Sequence, residues 1–276
     1  MNSKTEWISV GALGDAFAPD NHCLEASAAL LGRRLTLHFA DGAAIEHHFV
    51  SATELRWTVL QGGERGAAQT ENYQATSLRD GVYFVDFAKR GERATTVSLV
   101  LDLERGIFTA VTGRLPTRED AAKPLSRRVA EGLELTPVGA DFNHGAIGAP
   151  CTPETPAHQA TGALIGKRVQ YTYSPHEVYE HIYLNERFYT WHCLLGSERG
   201  LTDTDACDYL HIGDELYLFV WREKTIPTLG LIMVDLKRMK TTGKIFGYEG
   251  DDYAAVRNFP VGAHCRVLNT TERAPA

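Results

Sequence analysis

Tyr171 and Tyr173 lie in Val169-Gln-Tyr-Thr-Tyr173, a stretch that alternates like a half-buried strand. On such a strand their two hydroxyls share one face, about 7 Å apart at the backbone. There they can donate to the same anionic oxygen pair as an oxyanion-type clamp. His181 falls on the same face of the next alternating stretch and is the natural proton carrier. Arg199 offers a bidentate positive charge for a carboxylate or phenolate. Asp214 becomes an acid or base if burial raises its pKa. A clamp, a cation and a mobile proton suffice for a lyase, decarboxylase or isomerase working without a cofactor.

These residues must be positioned by strands, and the strands come in two sets. A shift of 134 residues carries Leu31-Gly-Arg-Arg-Leu-Thr-Leu-His-Phe39 onto Ile165-Gly-Lys-Arg-Val-Gln-Tyr-Thr-Tyr173. Without a gap it also carries Glu46-His47 onto Glu180-His181 and Trp57 onto Trp191. Glu64-Arg65-Gly66 falls on Glu198-Arg199-Gly200, and Asp80 and Tyr83 fall on Asp214 and Tyr217. After a one-residue slip, Asp102-Leu103 meets Asp235-Leu236. This is the register of an internal duplication. Short strands at even spacing, joined by turn pairs such as Asp41-Gly42 and Ser174-Pro175, predict an antiparallel meander that closes on itself. The expected fold is all-β: two duplicated antiparallel β-barrels over 1–115 and 161–276, with an extended connector at 116–160 holding a short helix after Pro124.

The copies differ in what faces inward. Leu37, Phe39, Ile45, Leu55 and Phe87 of the first become Tyr171, Tyr173, Tyr179, Tyr189 and Trp221 of the second. Tyr183 and Tyr217 share that inner face with Trp191, and nine of the 11 tyrosines follow residue 160. A buried phenol needs a partner or costs about 1–3 kcal/mol. Tyr179, Tyr183, Tyr189, Trp191, Tyr217 and Trp221 are therefore expected to line a polar, ligand-holding cavity in the second barrel, larger than any in the first. Each catalytic candidate also has a structural reading. Arg65, Asp80 and His47 occupy the matching places in the first copy, as turn or core residues would.

The segments Tyr171-Thr-Tyr-Ser174, Tyr179-Glu-His-Ile-Tyr-Leu-Asn185, Tyr189-Thr-Trp-His-Cys-Leu194, Leu216-Tyr-Leu-Phe-Val-Trp-Arg-Glu-Lys224 and Thr241-Thr-Gly-Lys-Ile-Phe-Gly-Tyr248 resemble the C-terminal domain of the MoaF family. Roughly 1–115 is similar to that family's N-terminal domain, and the resemblance implies a lipocalin-like fold. More distantly, the second half resembles the phenolic acid decarboxylases, small cofactor-independent barrels. There, two strand tyrosines hold a carboxylate while an arginine and a glutamate handle the proton. That resemblance implies Tyr171 and Tyr173 as the tyrosines and Arg199 as the arginine, and Asp214 stands at the glutamate position.

Composition narrows the remaining classes. A net charge of −7 without a basic stripe argues against nucleic acid as a partner. No run approaches the ~20 apolar residues of a membrane span, and the opening residues lack an apolar leader, so a cytoplasmic protein is expected. The five cysteines are widely spaced with no CxxC, and His176, His181, His192 and His211 lack ligand spacing, so no metal is expected. The expected function is a cofactor-independent enzyme acting on an aromatic or phenolic small molecule. The alternative is a binding protein for a similar ligand, and either admits a homodimer.

Overall fold

The computed structural model describes residues 6–272, and its regular structure is mostly antiparallel strand with three short helices among the described residues. A first closed barrel runs β1 (Arg34–Phe39), β2 (Ala44–Phe49), β3 (Glu54–Gln61), β4 (Ala68–Arg79), β5 (Val82–Ala88), β6 (Thr95–Asp102), β7 (Ile107–Arg114) and β8 (Gly139–Ile147). The second comprises β10 (Lys167–Thr172), β11 (Val178–Tyr183), β12 (Phe188–Leu195), β13 (Thr202–Gly213), β14 (Leu216–Glu223), β15 (Thr228–Asp235), β16 (Lys240–Tyr248) and β18 (His264–Thr270). Pairing of β12 with β13 and of β10 with β18 closes it. The short β9 (Gln159–Ala160) adds to β13, and β17 (Val256–Val261) to β16. Closure leaves few exposed edges on which another chain could pair.

Strand registers carry the duplication to atomic detail. Leu35 faces His47 as Val169 faces His181, and Trp57 faces Gln69 as Trp191 faces Asp203. Val85 pairs with Leu99 while Phe219 pairs with Ile232, so the one-residue slip sits in the hairpin between those strands. Gly66 and Gly200 both adopt a left-handed φ, 93° and 89°, at the same turn. A Cβ would be strained there in either copy.

Two expected boundaries are corrected. Residues 6–23 group with 115–139 and 159–272 in one compact unit, and 24–114 with 140–158 in the other. The stretch 116–160 is thus not a plain connector: 139–147 is the eighth strand of the first barrel, pairing Ile147 with Leu37. Its earlier part holds two short helices, α2 (Arg118–Ala122) and α3 (Leu125–Ala130). The chain's opening residues serve the second barrel. Helix α1 (Val10–Phe17), N-capped by Ser9 accepting from the Ala12 N–H at 3.2 Å, packs on β16 and β17. A strand pattern read in sequence order cannot show that a barrel borrows its eighth strand or its plug from a distant segment. Among the described residues no helix is long and apolar enough to cross a membrane.

One duplicated ion pair tests the consequence of burial. Arg34 and Glu46 meet at 2.8 Å on the surface, with Glu46 29% exposed. Their counterparts Arg168 and Glu180 form two bonds of 2.6 Å, with Glu180 only 2% exposed and also accepting from His192 Nδ1 at 2.9 Å. The Arg168 guanidinium holds the Glu180 carboxyl below its usual range. In urea titrations, Glu180→Gln is expected to cost about 1.5–3 kcal/mol, and Glu46→Gln no more than about 1 kcal/mol. Equal costs would show that burial is not the difference between the copies.

Candidate functional site

The period of two turns the expected side chains inward. Tyr171 and Tyr173 from β10 and its end, Tyr179, His181 and Tyr183 from β11, Tyr189, Trp191 and Cys193 from β12, and Tyr217, Phe219 and Trp221 from β14 form one buried cluster. The first barrel holds Leu37, Phe49, Leu55, Val85 and Phe87 in the matching core.

The aromatic interior is nevertheless not an open cavity. The Tyr171 and Tyr183 hydroxyls bond each other at 2.5 Å, and the Cys207 thiol donates to the Tyr209 hydroxyl at 2.9 Å. Phe17 of α1 enters the barrel mouth, its ring 4.8 Å from Tyr173 and 5.7 Å from Tyr179. Trp7 meets Trp191 edge-on at 5.6 Å. What remains is a void of about 40 Å³ bounded by Leu13, Phe17, Tyr173, Tyr179, His181, Tyr189, Trp191, Glu198, Trp221 and Glu223. That is room for a water but not for an aromatic ring. Between the two barrel mouths the expected asymmetry is therefore reversed, since the space at the mouth of the first barrel measures about 230 Å³, while the second barrel's other pocket, about 240 Å³, lies against the 133–136 segment and not at this aromatic cluster. Phenols satisfied one another, and α1 filled the rest.

Polar groups converge on the small void. Tyr179 donates to Glu198 Oε2 at 3.1 Å, and Trp221 Nε1 donates to Glu223 Oε1 at 2.8 Å. Burial pushes the Glu198 carboxyl up to about 7. Burial, reinforced by the charges of Asp205 and Glu198, pushes Glu223 well above its usual range. His181 is 3% exposed, and its Nδ1 has no hydrogen-bond partner. Burial lowers its pKa to about 3, so it is neutral at physiological pH. The rings of Tyr171 at 4.6 Å, Tyr189 at 5.1 Å and Trp221 at 5.8 Å surround it.

The first barrel serves as an internal control for what is structural. Trp57 Nε1 donates to Glu71 at 3.4 Å and the Arg90 N–H to the same carboxylate at 3.1 Å. At the matching places Trp191 donates to Asp205 at 3.1 Å, and the Lys224 N–H and Nζ to the same carboxylate at 3.2 and 3.1 Å. The tryptophan–carboxylate–cation arrangement is thus common framework. The differences lie elsewhere. His47 Nδ1 lies 3.3 Å from the Ile45 carbonyl, whereas His181 Nδ1 has no partner. Glu64 is exposed where Glu198 is buried.

Of the residues expected at the site, Tyr173, Tyr179, His181, Tyr189, Trp191 and Trp221 border the void. Tyr171, Tyr183 and Tyr217 are buried in the surrounding core and do not border it. The two-tyrosine clamp is corrected, because the Tyr171 hydroxyl bonds Tyr183. Arg199 is exposed in the β12–β13 turn, and Asp214 is exposed in the β13–β14 turn, where it pairs with Lys237. Neither joins the aromatic cluster: both side chains leave their turns toward solvent, whereas Glu198, beside Arg199, turns inward. Sequence reasoning missed Glu198 and Glu223. Glu198 lies beside Arg199 in the duplicated tripeptide, and Glu223 continues the inward parity of Phe219 and Trp221 to the last residue of β14.

The model of the MoaF C-terminal domain matches residues 158–271, and that of the MoaF N-terminal domain matches residues 5–117. The chain is 42% identical to Protein MoaF of Klebsiella aerogenes over 274 residues, covering 98% of each. A solved structure from Burkholderia vietnamiensis with a provisional beta-lactamase name aligns to 38% of this chain and 95% of its own, at 13% identity and a TM-score of 0.33, a likeness that carries no argument. Two domain models in tandem, on two barrels of one register, together with a relative of nearly equal length, establish that this chain belongs to the MoaF family.

Proposed function

We infer that the second barrel binds a small aromatic molecule carrying a basic nitrogen, admitted when α1 lifts from the mouth. The observation that carries this reading is the convergence of Glu198, Glu223 and the unpartnered His181 Nδ1 on one void walled by tyrosine and tryptophan rings. Aromatic faces attract cations, and two carboxylates held up by burial gain a partner when an ammonium arrives. An anionic ligand offers neither carboxyl a countercharge and meets an ionised Glu198 above pH 7, so an acidic phenol is disfavoured.

Matched probes test this: 2-phenylethylamine, 2-phenylethanol and 3-phenylpropionate, titrated against intrinsic tryptophan fluorescence. The amine is expected to bind tightest and the acid weakest, and Glu198→Gln is expected to narrow the difference. Amine affinity should rise as pH increases through about 7, because Glu198 must ionise to pair with it. Tightest binding by 3-phenylpropionate would overturn the assignment.

A catalytic reading has one observation in its favour. A carboxyl at about 7, bonded to the Tyr179 hydroxyl, is poised for proton transfer near neutral pH. It makes Glu198 the proton carrier in a cofactor-independent reaction on the bound aromatic. Turnover that falls more than affinity in Glu198→Gln would favour that reading over simple binding.

A further inference from the structure

The sequence predicts a first barrel filled with hydrocarbon. Instead a cavity of about 230 Å³ opens into it from the surface. Two differences account for it: among the described residues no helix residue borders this cavity as α1 borders the second one, and side chains along the duplicated strands are substituted. Where the second barrel has Tyr173, Tyr179 and Trp221, the first has Phe39, Ile45 and Phe87. The lost ring volume is not made up. A cavity this size lies just below the ~300–1,000 Å³ of typical small-molecule sites.

The charge at its mouth is less acidic than in the second barrel: Lys89 and Arg114 border it beside the exposed Glu64 and Glu92. Glu223 follows Trp221 by two residues, and the matching residue two after Phe87 is Lys89. Lys89 lines the cavity with its side chain 20% exposed, its Nζ 5.6 Å from the centre of the Trp57 ring. Its carboxylate partner, Glu92 at 2.6 Å, is 48% exposed and can swing into solvent. Arg114 also lines the mouth, paired with the exposed Asp141. A ligand anion can replace either surface carboxylate at little cost, because exposed pairs contribute at most about 1 kcal/mol.

We propose that the first barrel is a second, independent ligand site, taking a small carboxylate with an apolar body that fills the cavity beside Trp57 and Phe87 while its anionic head pairs with Lys89. It does not depend on the reading of the second barrel.

The test is isothermal titration of the full chain with octanoate, octylamine and octanol. Octanoate is expected to bind, and octylamine no more tightly than octanol. Two variants locate the site. Ala110 is buried on the cavity wall, so Ala110→Phe fills the space from within. Lys89→Gln removes the charge and leaves the core untouched. Each is expected to weaken octanoate at least tenfold with an unchanged circular dichroism spectrum. If Ala110→Phe misfolds, Lys89→Gln decides alone. Absence of octanoate binding at millimolar concentration, full binding in Lys89→Gln, or equal binding of octylamine would each overturn the proposal.

Discussion

Phe17→Ala is expected to lower stability by about 3–5 kcal/mol, the usual cost of deleting a buried phenyl ring. The ring is buried at the mouth of the second barrel and touches Tyr173, Tyr179 and Phe259, with centroids 4.8, 5.7 and 6.2 Å away. An eight-residue helix has no stability of its own in water, so α1 persists only through this docking. The same substitution enlarges the 40 Å³ void and opens its roof. Two readouts should move together: the urea midpoint falls, and amide exchange across 6–17 accelerates. Probe association with the second barrel should also quicken. An unchanged midpoint with unchanged association rates would show that Phe17 neither anchors α1 nor gates the void.

Glu198→Gln is expected to stabilise the protein by about 3 kcal/mol above pH 7 and to change little at pH 4.5. The sign follows from burial. The folded carboxyl titrates at about 7, whereas an exposed glutamate titrates at 4.5. The folded state therefore holds its proton where the unfolded chain has released it. Stability is lost as pH rises from 4.5 through 7, by about 1.4 kcal/mol for each step of one in pH. Glutamine keeps an acceptor for the Tyr179 hydroxyl without the charge. His47 and His181 act on the other limb. Buried and neutral, with pKa values lowered from 6.5 to about 4 and about 3, they sustain stability above pH 6.5 and lose it as pH falls. The acid limb should thus survive Glu198→Gln while the alkaline fall flattens. Urea midpoints across pH 4–9 check both, and a variant that parallels wild type at every pH would rule out Glu198 as the titrating group.

Much of this architecture is written in local patterns. Period-two alternation fixes which side chains share a face, so the inward set from Tyr171 to Trp221 was legible, as was the duplication whose register the strand pairings reproduce. Even the slip between the copies was visible as Asp102 against Asp235, and both aspartates accept the N–H three residues on, at 2.9 Å.

Depth, pairing and cover are different matters, decided only by the tertiary structure. Alternation says that Tyr171 points inward, not that its hydroxyl meets Tyr183 across the β10–β11 pair. It says that Arg199 and Asp214 flank strands, not that the turns carry them outside the barrel. Glu198 and Glu223 come from separate strand ends, and their shifted carboxyls arise from closing the barrel around them. Nothing in a local pattern predicts that Phe17 would plug a barrel beginning 150 residues later, or that 139–147 would complete the first one. Sequence periodicity encodes direction relative to the backbone. Which distant segments supply the missing surface depends on burying apolar area in three dimensions, and that set the size, cover and charge of both interiors.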